Sequence, residues 1–394
     1  MSTDHSIDAS SFVRILFGVD ENDFQFRDAL PNGKAHRRGA GINPGNRFEK
    51  NRLHLLGEEI DRQRAEQIEE GEDPNQPKRV PLQIFEDRTG SIINKVASTS
   101  DVPFDWTLNP YRGCEHGCVY CFARPYHEYL GFSCGLDFET KIVAKMNAAT
   151  LLKRELARPS WRGEPIVMSA ITDIYQPIEA KLKLSRACLE VMADCGQPVS
   201  TMTKSALVLR DIDLWKRLGE QNAGRVTITL VTLDDELAKK LEPRAASPAR
   251  RLAIIEKLVQ SGVPVSVNIA PIIPGLTDTE LPNLLKAVSS AGAKRVAWVM
   301  LRLPYQLKDV FLDWAQRELH PERARRVENQ IRQMRGGKLY EAGPNRRRGQ
   351  GPLVEQLRGV FDVFTRRYGI NRDVRPLSSA HFCRPDLSGQ MKLF

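Results

Sequence analysis

The sequence has no apolar run long enough to cross a bilayer, although 41% of its 394 residues are hydrophobic. Its first residues also lack the continuous hydrophobic core of a secretory signal. These absences argue against a membrane protein and against export, so we expect a cytoplasmic protein with no membrane partner. We find no convincing repeat beyond an alternation of strand-like and helix-like segments, and the length allows a sizeable buried core.

Cysteine is scarce and odd in number, because the chain has only seven. An odd number does not pair completely into a disulfide framework. Three of the seven, Cys114, Cys118 and Cys121, also crowd into one short segment. This distribution favours metal binding in a reducing compartment over structural disulfides.

Charge is less specific than cysteine as an indication of function. The formal net charge is +9, and arginines cluster within residues 323–326, 346–348 and 366–367. A basic surface binds phosphate-rich partners by releasing their counterions. Such a surface also keeps a protein soluble without binding anything, and charge alone does not separate the two interpretations.

From residue 105 onward, short β-rich runs alternate with amphipathic helical stretches in the order of repeated βα units. The predicted strands are residues 106–109, 166–170, 199–203, 226–231, 263–269 and 296–300. The predicted helices between them are residues 178–193, 212–218, 248–260 and 280–290, and residues 141–145 form a further strand. We therefore predict an α/β fold, a partial (β/α)6 barrel over residues 105–300, with its functional site at the carboxyl ends of the strands.

The two ends of the chain differ from this core. Residues 1–104 contain Gly-, Asn- and Arg-rich stretches and a charged run, which predict a partly irregular arm. Residues 301–394 form a mainly helical extension, with predicted helices over residues 307–319, 321–334 and 352–368. We thus expect three parts: an arm, a barrel and a helical extension.

The most informative segment is residues 109–121, in which three cysteines have the spacing C-x3-C-x2-C directly after the first predicted barrel strand. Three thiolates on one short loop ligate three irons of a cubane and leave the fourth iron open for chemistry. Gly113 and Gly117 allow the backbone to pass close to such a cluster.

Structural zinc is the alternative for these cysteines. Zinc prefers four closed ligands, often two separated C-x2-C pairs, and no second pair exists here. His116, Cys134 or Cys383 would have to complete the site. A non-catalytic, zinc-stabilised nucleic-acid-binding protein therefore stays as an alternative hypothesis.

The segment NPYRGCEHGCVYCFARP resembles the radical S-adenosylmethionine (radical SAM) superfamily, and within it the photolyase-like group related to spore photoproduct lyases. The resemblance implies a partial (β/α)6 radical SAM barrel and a 4Fe-4S cluster on Cys114, Cys118 and Cys121. It also implies that S-adenosylmethionine binds the open iron and is cleaved reductively to a 5′-deoxyadenosyl radical, with an electron donor as partner. Tyr120, before the third cysteine, would lie against the adenine.

Other strand ends match the same group. The segments around residues 172–173 and 201–204 resemble those of the lyases, and residues 242–244 would face the same mouth. The S-adenosylmethionine contacts that the resemblance implies, besides Tyr120, are Thr172, Asp173, Lys204, Thr229, Asn268 and Pro271. Without the resemblance, most of these positions read as exposed turns or strand ends.

One departure from the lyases concerns the substrate. Spore photoproduct lyases place a hydrogen-donor cysteine three residues before the aspartate, whereas this sequence has Ala170 there. Lesion reversal by the same mechanism is therefore in doubt. We expect radical chemistry on DNA or a DNA lesion, with modification of RNA, a peptide or a small molecule as the alternative.

The carboxyl terminus resembles the peptide that binds the bacterial sliding clamp. The matching residues are Gln390, Met391, Leu393 and Phe394, in which an amide anchor precedes three apolar side chains suited to a partner groove. The alternative is a tail that folds back on its own domain. If the match is functional, the peptide would bring the enzyme to DNA.

Overall fold

Six strands that run parallel to their neighbours form the centre of the protein and confirm the predicted βα alternation. The computed structural model describes residues 26–28, 37–48, 54–56, 80–97, 102–342, 344–372 and 374–387. The six strands lie side by side in chain order, and β4 (Ile93–Lys95) pairs antiparallel with the first of them. They are β5 (Trp106–Leu108), β8 (Ile166–Met168), β9 (Val199–Thr203), β10 (Gly224–Thr229), β11 (Val265–Ile272) and β12 (Arg295–Met300).

Helices connect these strands and continue after the last of them, as predicted for the carboxyl-terminal part. Those between the strands are α1 (Asp137–Thr140), α2 (Ala148–Leu156), α3 (Glu179–Leu182), α4 (Leu184–Asp194), α5 (Ile212–Glu220), α6 (Asp235–Leu241), α7 (Pro248–Gln260) and α8 (Leu281–Ser290). Those after β12 are α9 (Leu307–Glu318), α10 (Pro321–Met334) and α11 (Pro352–Arg367). No helix among the described residues has the length and apolarity that a membrane span requires.

Two smaller sheets lie outside the parallel one. The predicted extra strand exists as β7 (Lys141–Ala144), where it pairs with β3 (Gln83–Glu86) and β6 (Tyr111–Arg112). Strands β1 (Phe26–Asp28) and β2 (His54–Leu56) form an antiparallel pair. Because β6 directly precedes the cysteines, its pairing with β7 fixes where the cysteine loop starts.

Several predicted elements differ from the observed ones by a few residues, and two of the differences fall at residues with positive φ. The helix predicted over residues 178–193 is two helices, because Lys183 has a φ of 54° and breaks it between α3 and α4. The strand predicted over residues 166–170 ends at Met168, because Ser169 has a φ of 91°. Residues other than glycine rarely adopt this region. Ser169 is held there by hydrogen bonds between its side chain and Met202, whereas Lys183 ends α3 with a local bond to the carbonyl of Glu179.

Alternation along the strands gives the parallel sheet two different faces. One face carries apolar residues such as Val226, Ile228 and Val267, which are buried in the main core. The other carries polar residues such as Ser200, Thr227 and Asn268, which are only partly buried. Since the sheet is open, with β4 and β12 at its edges, the polar face lines an incomplete barrel.

Candidate active site at the cysteine loop

The cysteine loop, residues 113–121, follows β5 and β6 at the carboxyl end of the first parallel strand, which is the predicted mouth of the barrel. Cys114 and Cys118 are buried, Cys121 is half-buried, and all three are free thiols. Burial raises the pKa of Cys118 to about 12 and that of Cys114 well above its usual value. A bound cation would replace these protons, because metals bind the thiolate form.

The strand-end segment after β8 holds the first half of this loop. Thr172 Oγ1 donates to the carbonyl of Gly113 over 2.6 Å, and Gln176 Nε2 donates to the same carbonyl over 3.4 Å. Gln176 also accepts from the backbone N–H of Glu115 at 3.0 Å. Gln176 was not among the predicted site residues, and a glutamine in a turn gives no signal of this role by itself.

Asp173 ties the loop to two strands through its carboxylate. It accepts from the backbone N–H of Tyr175 at 2.9 Å, from Thr203 Oγ1 at 2.8 Å and from the N–H of Lys204 at 3.0 Å. His116 Nε2 lies 3.2 Å from Asp173 Oδ2, the oxygen that also accepts from Lys204. Burial opposes ionisation, but His116 and the backbone donors outweigh it and hold the pKa of Asp173 below its usual value. The carboxylate is thus fully occupied by the protein.

Buried Glu242 contacts Tyr120 and Lys204 directly and is linked to Thr229 through Arg251. Tyr120 donates its hydroxyl to Glu242, and Arg251 forms an ion pair with the same carboxylate. Arg251 also donates to the carbonyl of Thr229 over 3.0 Å. Lys204 Nζ lies 3.9 Å from Glu242 and 5.9 Å from the centre of the Tyr120 ring. Arg251 was not predicted, because an arginine within helix α7 reads as an exposed charge.

Asn268 leaves an acceptor available at the polar face. It pairs in register with Thr229 on β10, and its buried Oδ1 has no hydrogen-bond partner within the described residues. The Oγ of Ser266, on the same face of β11, is likewise buried and unpartnered there. Pro271 lies further along β11 toward its carboxyl end. Buried polar atoms are normally satisfied, so these two fit a polar ligand in the barrel.

A second group of contacts packs residues 37–48, here called the mouth strap, against the cysteine loop. The buried carboxylate of Glu139 accepts from the backbone N–H groups of Gly39 at 3.0 Å and Ala40 at 2.8 Å. It also pairs with Arg124, whose Nε donates to the carbonyl of Cys118 over 2.9 Å. A Cβ on Gly39 would lie 1.9 Å from the carbonyl oxygen of Gly117, so only glycine fits at this crossing. Sequence reasoning missed this group entirely.

With this geometry established, comparison with known proteins identifies the family. The model of the radical SAM superfamily matches residues 108–288, which span the end of β5, the cysteine loop and the next four parallel strands. An uncharacterised protein of Mycobacterium tuberculosis is 38% identical over 256 residues, covering 64% of this chain and 72% of that protein. The chain belongs to the radical SAM superfamily. It is a radical SAM enzyme, and proteins of this superfamily use a 4Fe-4S cluster and S-adenosylmethionine.

Two further comparisons place this radical SAM protein among known ones. The radical SAM Nalpha-GlyT isomerase of Pseudomonas phage M6 is 24% identical over 218 residues, covering 55% of this chain and 43% of that one. Spore photoproduct lyase, in complex with dinucleoside spore photoproduct, superposes with a TM-score of 0.53 at 15% identity, covering 73% of this chain and 80% of its own. At that identity the likeness concerns the fold, and it confirms the predicted partial radical SAM barrel.

The arrangement of ligands differs between a cluster and a single ion. A zinc ion needs its ligands around one point. Among the residues that the structure describes, no group of three or more His, Cys, Asp or Glu side chains is arranged in that way. A cubane takes one thiolate on each of three irons, so the ligands of a radical SAM cluster need not converge on one point.

The predicted clamp-binding residues Gln390, Met391, Leu393 and Phe394 lie outside the described residues, of which Leu387 is the last. The chain that leads to them, residues 374–387, is here called the bottom strap. Ser378 N–H donates to the carbonyl of Asn222 over 2.9 Å, just before β10. The N–H of Cys383 donates to the carbonyl of Cys195 over 2.8 Å, just before β9. The bottom strap therefore follows the amino ends of the strands, opposite the cysteine loop.

Proposed function

We propose that this radical SAM enzyme binds a 4Fe-4S cluster through Cys114, Cys118 and Cys121 and acts on DNA or a DNA lesion. When bound, the cluster would supply the electron for reductive cleavage of S-adenosylmethionine, which gives a 5′-deoxyadenosyl radical. The observation that carries the proposal is the placement of three free thiols on one loop at the strand ends of a sheet whose polar face has two buried atoms without a partner among the described residues. We further propose that residues 105–300 form the catalytic unit, with residues 1–104 and 301–394 appended, in a cytoplasmic protein.

The polar residues around the loop divide into two roles. Asn268 Oδ1 has no hydrogen-bond partner within the described residues, and Lys204 places a cation beside the Tyr120 ring, which suits the carboxylate of S-adenosylmethionine. Tyr120 supplies the aromatic surface for the adenine. Thr172 and Asp173 act differently, because their polar atoms hold the cysteine loop and are not free for a ligand.

Thr229 and Pro271 complete the proposed contact set on neighbouring strands. Thr229 is buried beside Asn268, so its hydroxyl faces the amino-acid end of the ligand in the same register. Pro271 lies toward the end of β11, where its ring and the adjacent backbone suit a contact with adenosine. These roles follow from position at the carboxyl ends of the strands.

Three features support DNA as the substrate. The net charge of +9 favours a polyanion, and the fold is shared with a lyase that was solved with a dinucleoside photoproduct. The terminal peptide Gln390–Phe394 would add recruitment by the sliding clamp. Ala170 lacks the thiol of the lyases, so the hydrogen atom that ends the reaction must come from another group.

Metal content and S-adenosylmethionine cleavage test the catalytic part of the proposal. Protein purified without oxygen should be brown, with iron and sulfide in about the proportion of one cubane. With a strong reductant and S-adenosylmethionine it should form 5′-deoxyadenosine, and Cys114→Ala, Cys118→Ala or Cys121→Ala should abolish this. Cys383→Ala, which changes an exposed cysteine, is the matched control. Colourless protein that contains zinc would refute the enzymatic part.

Isotope transfer tests the substrate. Deuterated DNA, RNA and peptide are each incubated with the reduced enzyme, and deuterium is measured in the 5′-deoxyadenosine formed. Transfer from DNA supports the proposal, and transfer only from RNA or peptide contradicts it. Separately, removal of residues 390–394 should abolish binding to a purified bacterial sliding clamp, whereas unchanged binding would refute recruitment through this peptide.

A further inference from the structure

Exposed aromatic rings cluster beside the cysteine loop. Phe122 directly follows Cys121, and Tyr126 and Tyr129 lie on the short helix that comes next. Two rings from distant parts of the chain join them. We call these five rings the ring array; their exposed fractions are 37% for Phe122, 48% for Tyr126, 64% for Tyr129, 55% for Phe48 and 57% for Tyr305.

Guanidinium groups alternate with these rings. The Arg47 guanidinium lies 4.6 Å from the ring centre of Phe48, 5.3 Å from that of Tyr129 and 4.1 Å from that of Tyr305. Arg302 lies 4.4 Å from the ring centre of Phe122. Arg47 is also paired with Glu128 at 2.7 Å, so it orders the rings more than it adds charge to the surface. The rings are thus fixed from one side and accessible from the other.

Helix α10 carries a second polar surface, here called the basic stripe after its two arginines. Its side chains line a cavity of about 320 Å3 and comprise two arginines, three amides and one carboxylate: Arg325, Arg326, Asn329, Gln330, Gln333 and Glu322. Two observations place α10 at the strand ends. Gln330 of α10 lies so close to Gly275, after β11, that a Cβ there would be 2.8 Å from its Oε1. Arg335, which directly follows α10, donates to the carbonyl of Leu301, after β12. The stripe therefore borders the mouth at the ends of β11 and β12.

The chemistry of the two surfaces is complementary to a nucleic-acid strand with unpaired bases. Aromatic faces stack on bases of any sequence, and neighbouring arginines follow the phosphates. A protein partner would also bury exposed rings, but it would not require the arginines and amides of the adjacent cavity. Duplex DNA offers no base faces, because its bases are stacked on one another.

We infer that the ring array and the basic stripe bind single-stranded or locally opened DNA and present an unpaired nucleotide at the barrel mouth. This inference rests on the proposed action on DNA and names the form of DNA that is bound. Because the surface lies outside the residues assigned to the cluster and S-adenosylmethionine, binding can be measured without turnover.

The first experiment measures fluorescence anisotropy of a labelled DNA strand of about 16 nucleotides, the upper end of the usual site size for one binding fold. The full-length protein should bind this strand at least about tenfold more tightly than the corresponding duplex. Tyr129→Leu and Tyr305→Leu keep apolar side chains but remove the rings, and each should weaken binding of the strand about tenfold, since stacking on one base contributes a factor of roughly 5 to 150.

The matched ring control is Tyr368→Leu. Tyr368 is half-buried next to Phe364 at the end of α11, where the following Asn371 contacts the start of β12, away from the mouth. Its substitution should leave strand binding unchanged. Circular dichroism and thermal unfolding of all three variants show whether they fold. Because Tyr129 and Tyr305 are exposed, their replacement should leave the fold intact.

The second experiment measures the salt dependence of binding. Arg325→Gln together with Arg326→Gln should reduce the slope of log Kd against log salt concentration by about 1.4, because each lost phosphate contact on a single strand contributes about 0.7. Arg366→Gln together with Arg367→Gln removes the same charge from the end of α11 and should leave the slope unchanged.

The outcomes separate this inference from the proposed function. Equal binding of strand and duplex, or unchanged binding by the ring variants, overturns the inference and leaves action on DNA in place. Tighter binding of the corresponding RNA strand also overturns it. If the protein binds neither strand nor duplex yet still forms 5′-deoxyadenosine, the inference and the DNA substrate both fail, while the radical SAM chemistry remains.

Discussion

Two irregular straps cross opposite ends of the barrel, and they are held by different kinds of contact. The mouth strap, residues 37–48, is fixed by buried charges: Arg38 donates to the carbonyl of Glu139 over 2.8 Å, and the Glu139 carboxylate accepts two strap N–H groups. Arg124 balances that carboxylate. The same buried ion pair therefore supports both the strap and the cysteine loop.

The bottom strap, residues 374–387, is fixed mainly through backbone groups. Asn222 donates its side-chain amide to the carbonyl of Pro376 over 2.8 Å, and Ser379 Oγ donates to the carbonyl of Gly163 over 2.7 Å. Phe382 packs against Gly163. No buried ion pair holds this strap among the described residues, so its stability is divided among several modest contacts.

This difference suggests that the mouth strap is part of the cluster site and that the bottom strap only closes the barrel. A buried charge is costly without its partner, so one substitution near the cysteines should have a large effect. Losing one of the several backbone or ring contacts of the bottom strap should have a small effect on stability. The following predictions test this contrast, from the largest expected effect to the smallest.

Glu139→Gln should lower the free energy of unfolding by about 3–5 kcal/mol, because it leaves the fully buried Arg124 charge unpaired. It should also speed the loss of iron to a chelator, since Arg124 holds the carbonyl of Cys118. Urea unfolding and the rate of iron release measure the two effects. The control is Glu236→Gln, which breaks an exposed pair with Lys239 and should change neither. Equal behaviour of the two variants would contradict the assigned role of Glu139.

Acid should destabilise the region beneath the mouth strap through His127. Burial lowers the pKa of His127 to about 4, against about 6.5 when unfolded. The folded protein thus favours the neutral His127 ring. The contribution of this ring to the free energy of unfolding is complete above pH 6.5 and is lost as the pH falls toward 4. The loss should approach about 3 kcal/mol.

His127→Phe keeps a ring between Phe132 and Phe138 but removes the titration. The difference in unfolding free energy between the variant and the natural protein should therefore change with pH between 6.5 and 4. Urea unfolding at several pH values measures it. A constant difference across this range would show that His127 does not titrate as stated.

Two glycine substitutions compare the straps directly. Gly39→Ala places a Cβ 1.9 Å from the carbonyl oxygen of Gly117, and Gly196→Ala places one 2.2 Å from that of His381. Each should cost about 1–3 kcal/mol, because backbone must move, and Gly196→Ala should lie toward the upper end because Gly196 also has a φ of 61°. Only Gly39→Ala should also speed iron release, since only it displaces the cysteine loop. If Gly196→Ala releases iron equally fast, the straps do not differ as we describe.

The smallest effect is expected for Phe382→Ala in the bottom strap. Phe382 is half-buried, so removing its ring should cost about 1 kcal/mol. The midpoint of urea unfolding should shift slightly, and iron content and 5′-deoxyadenosine formation should not change. A loss of iron in this variant would mean that the bottom strap supports the cluster from a distance.

Much of the site could be predicted because its signal is local. The C-x3-C-x2-C spacing is contiguous, and the alternation of strands and helices indicated six parallel strands, which the sheet order confirms. Lys204 and Asn268 lie at or near predicted strand ends, but it was the resemblance to the lyase-related group that singled them out. The roles of Thr172 and Asp173 could not be predicted, because their contacts with Gly113 and His116 of the cysteine loop join parts of the chain that only the fold brings together.

The sequence alone determined the radical SAM chemistry and the parallel core, because the cysteine spacing and the strand–helix alternation are both short-range patterns. Tertiary structure decided the rest. Glu139 lies 100 residues from Gly39, to which it is hydrogen-bonded, and no sequence pattern predicted that β7 would pair with β3 in a separate sheet. Likewise, Lys183 ends a helix that periodicity would continue. Contacts between distant residues leave no local signal, so only the folded chain shows how the three cysteines are held.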